Sequence, residues 1–180
     1  MNPKEKENEA LEFARVAHGS QRRKYKDEAY IEHPKRVAAL VKTVPHTSEM
    51  ICAAYLHDVV EDTPVTLKEI ESKFGTEVAQ LVDELTDEFI KESYPHLNRR
   101  RRKEKETERQ ANTSEAAKTI KLADVIDNTP DISQNDPAFA RRYIPEMDAL
   151  VKALQGGDPT LYVRAQNEVE IAKKLLKNSK

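Results

Sequence analysis

His57 and Asp58 stand side by side in the segment AAYLHDVVED, and Glu61 and Asp62 follow four positions beyond each. On a helix, residues four apart share a face, so the spacing predicts His57 over Glu61 and Asp58 over Asp62. The surrounding Ile51, Ala54, Tyr55, Val59 and Val60 predict a buried setting. Burying four ionisable groups is costly unless they pair with one another or hold a metal ion. A helix end with a solvated acidic cluster is the bland account of such a pair taken alone. Two further residues weigh against it. His33 precedes Pro34 at a helix start, and Asp124 sits in the apolar helical stretch AAKTIKLADVIDN. Two histidines and two aspartates make a mixed nitrogen and oxygen donor set. It suits Mn²⁺, Fe²⁺ or Mg²⁺ better than a closed cysteine zinc site would.

The elements that must carry these residues are helical. Leu11, Phe13, Ala14 and Ala17 recur at three to four residues within Lys4 to His18, with Gly19 as the stop. The next stretch, SQRRKYKDEAYIEHP, has no period and reads as a loop leading to Pro34 in the first turn of a second helix. Thr47 to Glu61 is the most apolar segment and is expected to be the central helix. Asp62-Thr63-Pro64 ends it, because the residue before proline leaves the α region. Thr66 and Glu69 fit a capping box for a short helix to Phe74-Gly75. A further helix carries Val78, Leu81, Val82 and Leu85. Ser114 to Asp127 is another, followed by an expected loop from Asn128 to Pro137 and a helix through Tyr143, Met147, Leu150 and Leu154. Asp158-Pro159 then caps the last one. No period-two run requires a strand. The reading is all-α, about seven to nine helices in a single domain over residues 1–180.

Composition narrows the function classes. With 34% charged residues against 38% hydrophobic and only 4 Gly, the 180-residue chain has no glycine-rich phosphate loop. A formal charge of -2 gives no global attraction to nucleic acid. No apolar run approaches the ~18 residues a bilayer span needs, and the N-terminus lacks the apolar core of a secretion signal. Cys52, the single cysteine, has no partner for an internal bridge and reads as a core filler in a reducing compartment. A cytoplasmic protein is expected, with oligomeric state open.

Taken in order, the segments AHGSQRRK, AYIEHPKRVAALV, YLHDVVEDTPVTLKEIESKFGTEVAQLVDELT and IKLADVIDN resemble the HD phosphohydrolase superfamily. They are most similar to the stand-alone alarmone hydrolases of the RelA/SpoT homologue class, over roughly residues 10–155. That resemblance implies His33, His57, Asp58 and Asp124 as metal ligands, with Mn²⁺ the usual family cofactor ahead of Mg²⁺ or Fe²⁺. It implies that Glu61 and Asp62 activate or orient the attacking water. It also implies that Arg23 and Lys24 contact the nucleotide and its phosphates, and that Asn128 binds nucleotide or orders the site. The reaction implied is removal of the 3′-diphosphate of guanosine tetra- or pentaphosphate, releasing pyrophosphate with GDP or GTP. No room remains in these residues for a synthetase domain, so hydrolysis alone is expected.

The chain departs from the family's usual pattern in two places. The turn in YKDEAYIEHP lacks Gly and Pro, and Asp127 stands where a neutral or histidine side chain is common. Both bear on which nucleotide is taken. Two other readings therefore compete: an HD phosphohydrolase acting on another nucleotide, and an inactive ligand-sensing or binding module. The run from Asn98 to Arg109, with seven positive and three negative side chains, reads as a solvated helix face or as a rim attracting phosphates. His18, His46 and His96 read as structural or surface residues, and the tyrosines as core or interface.

Overall fold

The computed structural model describes residues 2–178, and these fold into helices with no named strand; two isolated bridges are the only extended pairings among them. The backbone divides into two compact units, one running to Thr86 and the other starting at Asp87.

The first unit holds α1 (Pro3–His18), α2 (Glu32–Val41), α3 (Ser48–Leu56), α4 (Val59–Asp62), α5 (Leu67–Phe74) and α6 (Thr76–Leu85). α3 is its centre, as its composition predicts. Met50 to Ala54 and Leu56 are all buried, and α1, α2 and α6 pack around it. A helix apolar on every side needs such a wrapping. Cys52 is buried in α3, and burial pushes its thiol up to about 11, as befits a core filler. α1 begins with a reciprocal capping box between Asn2 and Glu5, and α5 with the expected one between Thr66 and Glu69.

One expected helix is broken. The segment predicted to run unbroken from Thr47 to Glu61 stops at Leu56, turns through His57 and Asp58, and resumes as the single turn α4. Asp58 has φ -96° and ψ -5°, the sparsely populated bridge region where turn and active-site residues often sit. The break redirects two polar side chains that a straight helix would hold about 100° apart. α4 then ends at Thr63, whose φ of -138° and ψ of 168° are the extended values that Pro64 demands.

The second unit holds α7 (Arg99–Ala111), α8 (Glu115–Asn135), α9 (Pro137–Ala153) and α10 (Pro159–Asn178). This makes ten helical segments among the described residues, or nine when α3 and α4 are counted as one interrupted helix. The loop expected from Asn128 to Pro137 is instead helical to Asn135, with Pro130 inside α8. Proline removes one donor and disfavours a helix interior. Here Thr129, Asp131 and Ser133 are all buried, and α8 packs on α9 and α10, so tertiary packing overrides the local preference. The connection shrinks to Asp136, which caps α9 by accepting from Phe139 N at 3.0 Å. Asp158 caps α10 as expected, accepting from Thr160 N at 2.8 Å and Leu161 N at 3.1 Å.

Candidate metal centre and phosphate-side residues

His33 lies in the first turn of α2, and the broken α3–α4 junction presents His57 and Asp58. The three meet although 24 positions separate the two histidines. Their Nε2 atoms are 3.2 Å apart, and Asp58 Oδ2 is 3.1 Å from His57 Nε2 and 3.5 Å from His33 Nε2. Both imidazoles are buried. Ligands ~2.1 Å from one ion at right angles stand ~3.0 Å apart, so this triangle fits three donors of a single divalent cation. His57 Nδ1 is 2.9 Å from Ala54 O. A carbonyl only accepts, so Nδ1 donates and Nε2 is the ring atom turned toward the other two residues, able to offer its lone pair to a cation once deprotonated.

The electrostatics favour a charged Asp58. Burial alone would raise its carboxyl pKa, but the His57 and His33 imidazoles and the Tyr30 hydroxyl outweigh it and hold it well below the ordinary carboxylate range. Tyr30 OH donates to Asp58 Oδ2 at 2.7 Å. Burial first, then the Asp58 carboxylate, pushes the Tyr30 phenol up, so it remains a proton donor at any working pH. Asp62 reaches solvent, yet partial burial and the nearby Asp58 carboxylate raise it above its usual value, against the pull of Tyr30, His18 and His57. Two acidic groups of differing proton affinity thus stand one turn apart, linked by Asp62 N donating to Asp58 O at 2.9 Å. Glu61 is exposed on the same turn.

Arg23 and Lys24 lie in the loop between α1 and α2. Arg23 N donates to Glu28 O at 3.1 Å, and Tyr30 N to Gln21 O at 2.9 Å, which closes the loop into a narrow pairing. No non-glycine residue among those described has a positive φ, so YKDEAYIEHP makes its turn without a left-handed residue. The Arg23 guanidinium lies 5.8 Å from the Tyr30 ring centre, and Lys24 Nζ 4.8 Å from that of Tyr25. Arg23, Tyr30 and Asp58 therefore form a continuous chain from the loop to the ligand cluster.

Tyr30 and His18 are the functional neighbours that sequence reasoning missed. His18 is 3% exposed, and its ring lies 4.6 Å from that of Tyr30. The available signal was position: Tyr30 is three residues before His33, on the backbone that enters α2.

Asp124 belongs to the second unit and is buried on α8. Asn128, one turn on, donates from Nδ2 to Asp124 Oδ1 at 2.6 Å, while Lys121 Nζ is 3.3 Å from Asp124 Oδ2. Asn128 thus orders a carboxylate through direct contact. Both residues line a cavity of about 150 Å³ together with Asp87, Lys103, Lys121 and Tyr143. The basic run divides its labour around it. Arg100 and Arg101 both pair with Glu104 on the exposed face of α7, Arg99 forms a two-bond fork on Glu146, and Lys103 bonds Asp87 at 2.7 Å.

Residues 10–150 match the HD domain family. A mouse guanosine-3′,5′-bis(diphosphate) 3′-pyrophosphohydrolase, MESH1, is 36% identical over 161 residues, covering 85% of this chain and 87% of its own. The Drosophila melanogaster protein of that name is 37% identical over 138 residues, with 75% and 74% covered. A solved structure of a metazoan orthologue of SpoT, described as hydrolysing ppGpp and acting in starvation responses, superposes with a TM-score of 0.82 at 32% identity. It covers 97% of this chain and 99% of its own. The chain belongs to the HD domain family, in its SpoT/RelA-like branch.

Proposed function

We propose that this chain hydrolyses guanosine 3′,5′-bisdiphosphate, and its pentaphosphate counterpart, at the 3′ position. Water adds to the 3′-diphosphate, and the products are pyrophosphate with GDP or GTP. The observation that carries the reading is the cluster of buried His33 and His57 with half-buried Asp58, set within a family match that runs across both compact units. Relatives of nearly the same length bear the name of this activity. We read the two units together as one hydrolase domain.

His33, His57 and Asp58 would hold a divalent cation, with Asp124 as the fourth protein ligand and Mn²⁺ as the ion. When bound, such an ion supplies Lewis acidity to a phosphoryl oxygen and makes nearby water more acidic. The chain's own residues do the rest. Glu61 accepts a proton from the attacking water at a carboxylate oxygen, directly or through one further water. Asp62, with its raised pKa, orients that water from the same turn. Arg23 and Lys24 offset phosphate charge, Arg23 by paired hydrogen bonds and Lys24 as an exposed point charge. Asn128 keeps Asp124 in place through its 2.6 Å bond. A lone, buried, free Cys52 accords with a cytoplasmic setting, and no described helix is long and apolar enough to cross a membrane.

A product-resolved assay tests the reading. Purified protein with Mn²⁺ is offered the guanosine alarmone, its adenosine counterpart, dNTPs and nucleoside monophosphates. Release of pyrophosphate from the 3′ position, suppressed by EDTA, supports it. Metal-dependent turnover of a mono- or triphosphate with the alarmone left intact would replace it with another HD phosphohydrolase. A folded, metal-loaded protein without turnover across the panel would make the chain a binding module.

A further inference from the structure

We propose that His18 and Gln21 are positioning residues for the hydrolysis, together clamping the one-turn helix α4 that carries Glu61 and Asp62. The inference rests on the hydrolase reading above and adds two residues to it. α4 has only four residues, closed by Asp62 N on Asp58 O at 2.9 Å and Thr63 N on Val59 O at 3.1 Å. A single turn is a weak structure by itself, since nucleating one fixes several dihedrals for very few bonds. Its last carbonyl before the Thr63-Pro64 exit, Asp62 O, is held from 41 positions away by Gln21 Nε2 at 2.8 Å.

The hydrogen-bond roles follow by elimination. Asp62 O only accepts, so Gln21 turns its NH₂ toward it and its Oε1 the other way. That Oε1 lies 2.9 Å from His18 Nδ1 and accepts in turn, so His18 carries its proton on Nδ1. His18 Nε2, the other ring nitrogen, is buried with no hydrogen-bond partner among the described residues. The imidazole is therefore held by one hydrogen bond and by its contact with the Tyr30 ring.

The backbone reinforces the clamp. His18 ends α1, and Gly19, at φ +53°, turns the chain so that Gln21 N donates to His18 O at 3.0 Å. Gln21 O in turn accepts from Tyr30 N at 2.9 Å. Gln21 is thus fixed on both sides of its own backbone before its side chain reaches α4. A 16-residue helix lends its rigidity to a four-residue one. Neither His18 nor Gln21 needs to touch substrate or metal for this.

Four variants test it. His18→Phe keeps a ring on Tyr30 and removes the donor, whereas His18→Asn keeps an amide donor near the Nδ1 position and removes the ring. Gln21→Glu can accept from His18 but cannot donate to Asp62 O, and His18→Phe/Gln21→Glu combines the two losses. Expected for His18→Phe and Gln21→Glu is a fall in kcat of about 10–100-fold with KM and Mn²⁺ affinity unchanged, as when a catalytic group is misplaced. His18→Asn should recover part of that loss, and the double variant should be no worse than the more damaging single one, because one chain of bonds is cut twice. Hydrogen exchange supplies a readout independent of turnover: the Asp62 and Thr63 amides should exchange faster in His18→Phe than in wild type. Unaltered exchange at those amides overturns the clamp, even if the wild type proves to act on a different nucleotide. Unaltered kcat in both single variants overturns its role in hydrolysis, as does loss of Mn²⁺ binding in step with kcat. Inactive wild type with accelerated exchange in the variant overturns the hydrolase reading and leaves the clamp supported.

Discussion

Tyr30 donates its hydroxyl hydrogen to Asp58 Oδ2 at 2.7 Å, on the same oxygen that lies 3.1 Å from His57 Nε2. The ligand carboxylate is therefore aimed by a residue that is not itself a ligand candidate. Tyr30→Phe removes this bond while keeping the ring contacts with His18 and Arg23. Loss of such a supporting partner typically costs about 10–100-fold in metal affinity or activity. Mn²⁺ titration by calorimetry should register a drop of that order, with the thermal midpoint of the metal-free protein nearly unchanged. Wild-type Mn²⁺ affinity in Tyr30→Phe would show the bond to be incidental.

Metal retention and proton transfer should separate by residue. Glu61 is exposed on α4, outside the triangle of His33, His57 and Asp58. Glu61→Gln keeps the size and removes the proton acceptor, so turnover should fall about 10²–10⁴-fold with Mn²⁺ still bound. His57→Ala should lose binding and turnover together. Single-turnover kinetics beside metal titration give both quantities, and undiminished single-turnover rates in Glu61→Gln would remove it from the proposed role.

Gly157 makes a packing prediction. A Cβ placed there would lie 2.9 Å from Leu122 Cδ1 and 3.1 Å from both the Lys118 carbonyl carbon and its Cβ. Backbone cannot yield as a flexible side-chain tip does, so Gly157→Ala should destabilise the protein by about 1–3 kcal/mol. Urea unfolding measures it. Because Asp124 and Asn128 lie on the same helix as Lys118 and Leu122, the displacement should also raise KM for the nucleotide.

The ligand cluster was legible because its residues contradict their surroundings. His57 and Asp58 sit in a run that is otherwise apolar, and only pairing or a metal makes that affordable. The break between α3 and α4 was not legible, since neither Gly nor Pro marks it and His57-Asp58 breaks the helix through its tertiary setting. Pro130 misled in the other direction: a strong local signal for a helix end was overridden by the burial of Thr129 and Asp131. His18 and Tyr30 were passed over for a third reason. Their meeting depends on a chain reversal at Gly19 and an irregular loop, and periodicity carries no information about either. The basic run was recognisable as a helix, but which of its cations face α9 and which face solvent depended on partners such as Glu146, far along the chain.

Asp87 gives the pH dependence a definite sign. It opens the second unit, mostly shielded, with Lys103 Nζ at 2.7 Å. Burial alone would raise its carboxyl pKa, yet the Lys121 and Lys103 ammonium groups prevail and hold it below 3.8. The folded state therefore binds fewer protons here than the unfolded state does in acid. The resulting stabilisation is fully present above the unfolded value of about 4 and is lost as pH falls through the folded one. Asp87→Asn should cost about 1–3 kcal/mol at pH 7, because it leaves Lys103 with a neutral partner in a shielded place. As pH falls below about 4 the unfolded chain takes up its proton first, and the difference should shrink until the folded carboxyl is protonated as well. Urea unfolding of both proteins in EDTA at pH 7, 5 and 3.5 decides it: a gap of constant size across the series would mean that the Lys103 pairing contributes nothing through charge.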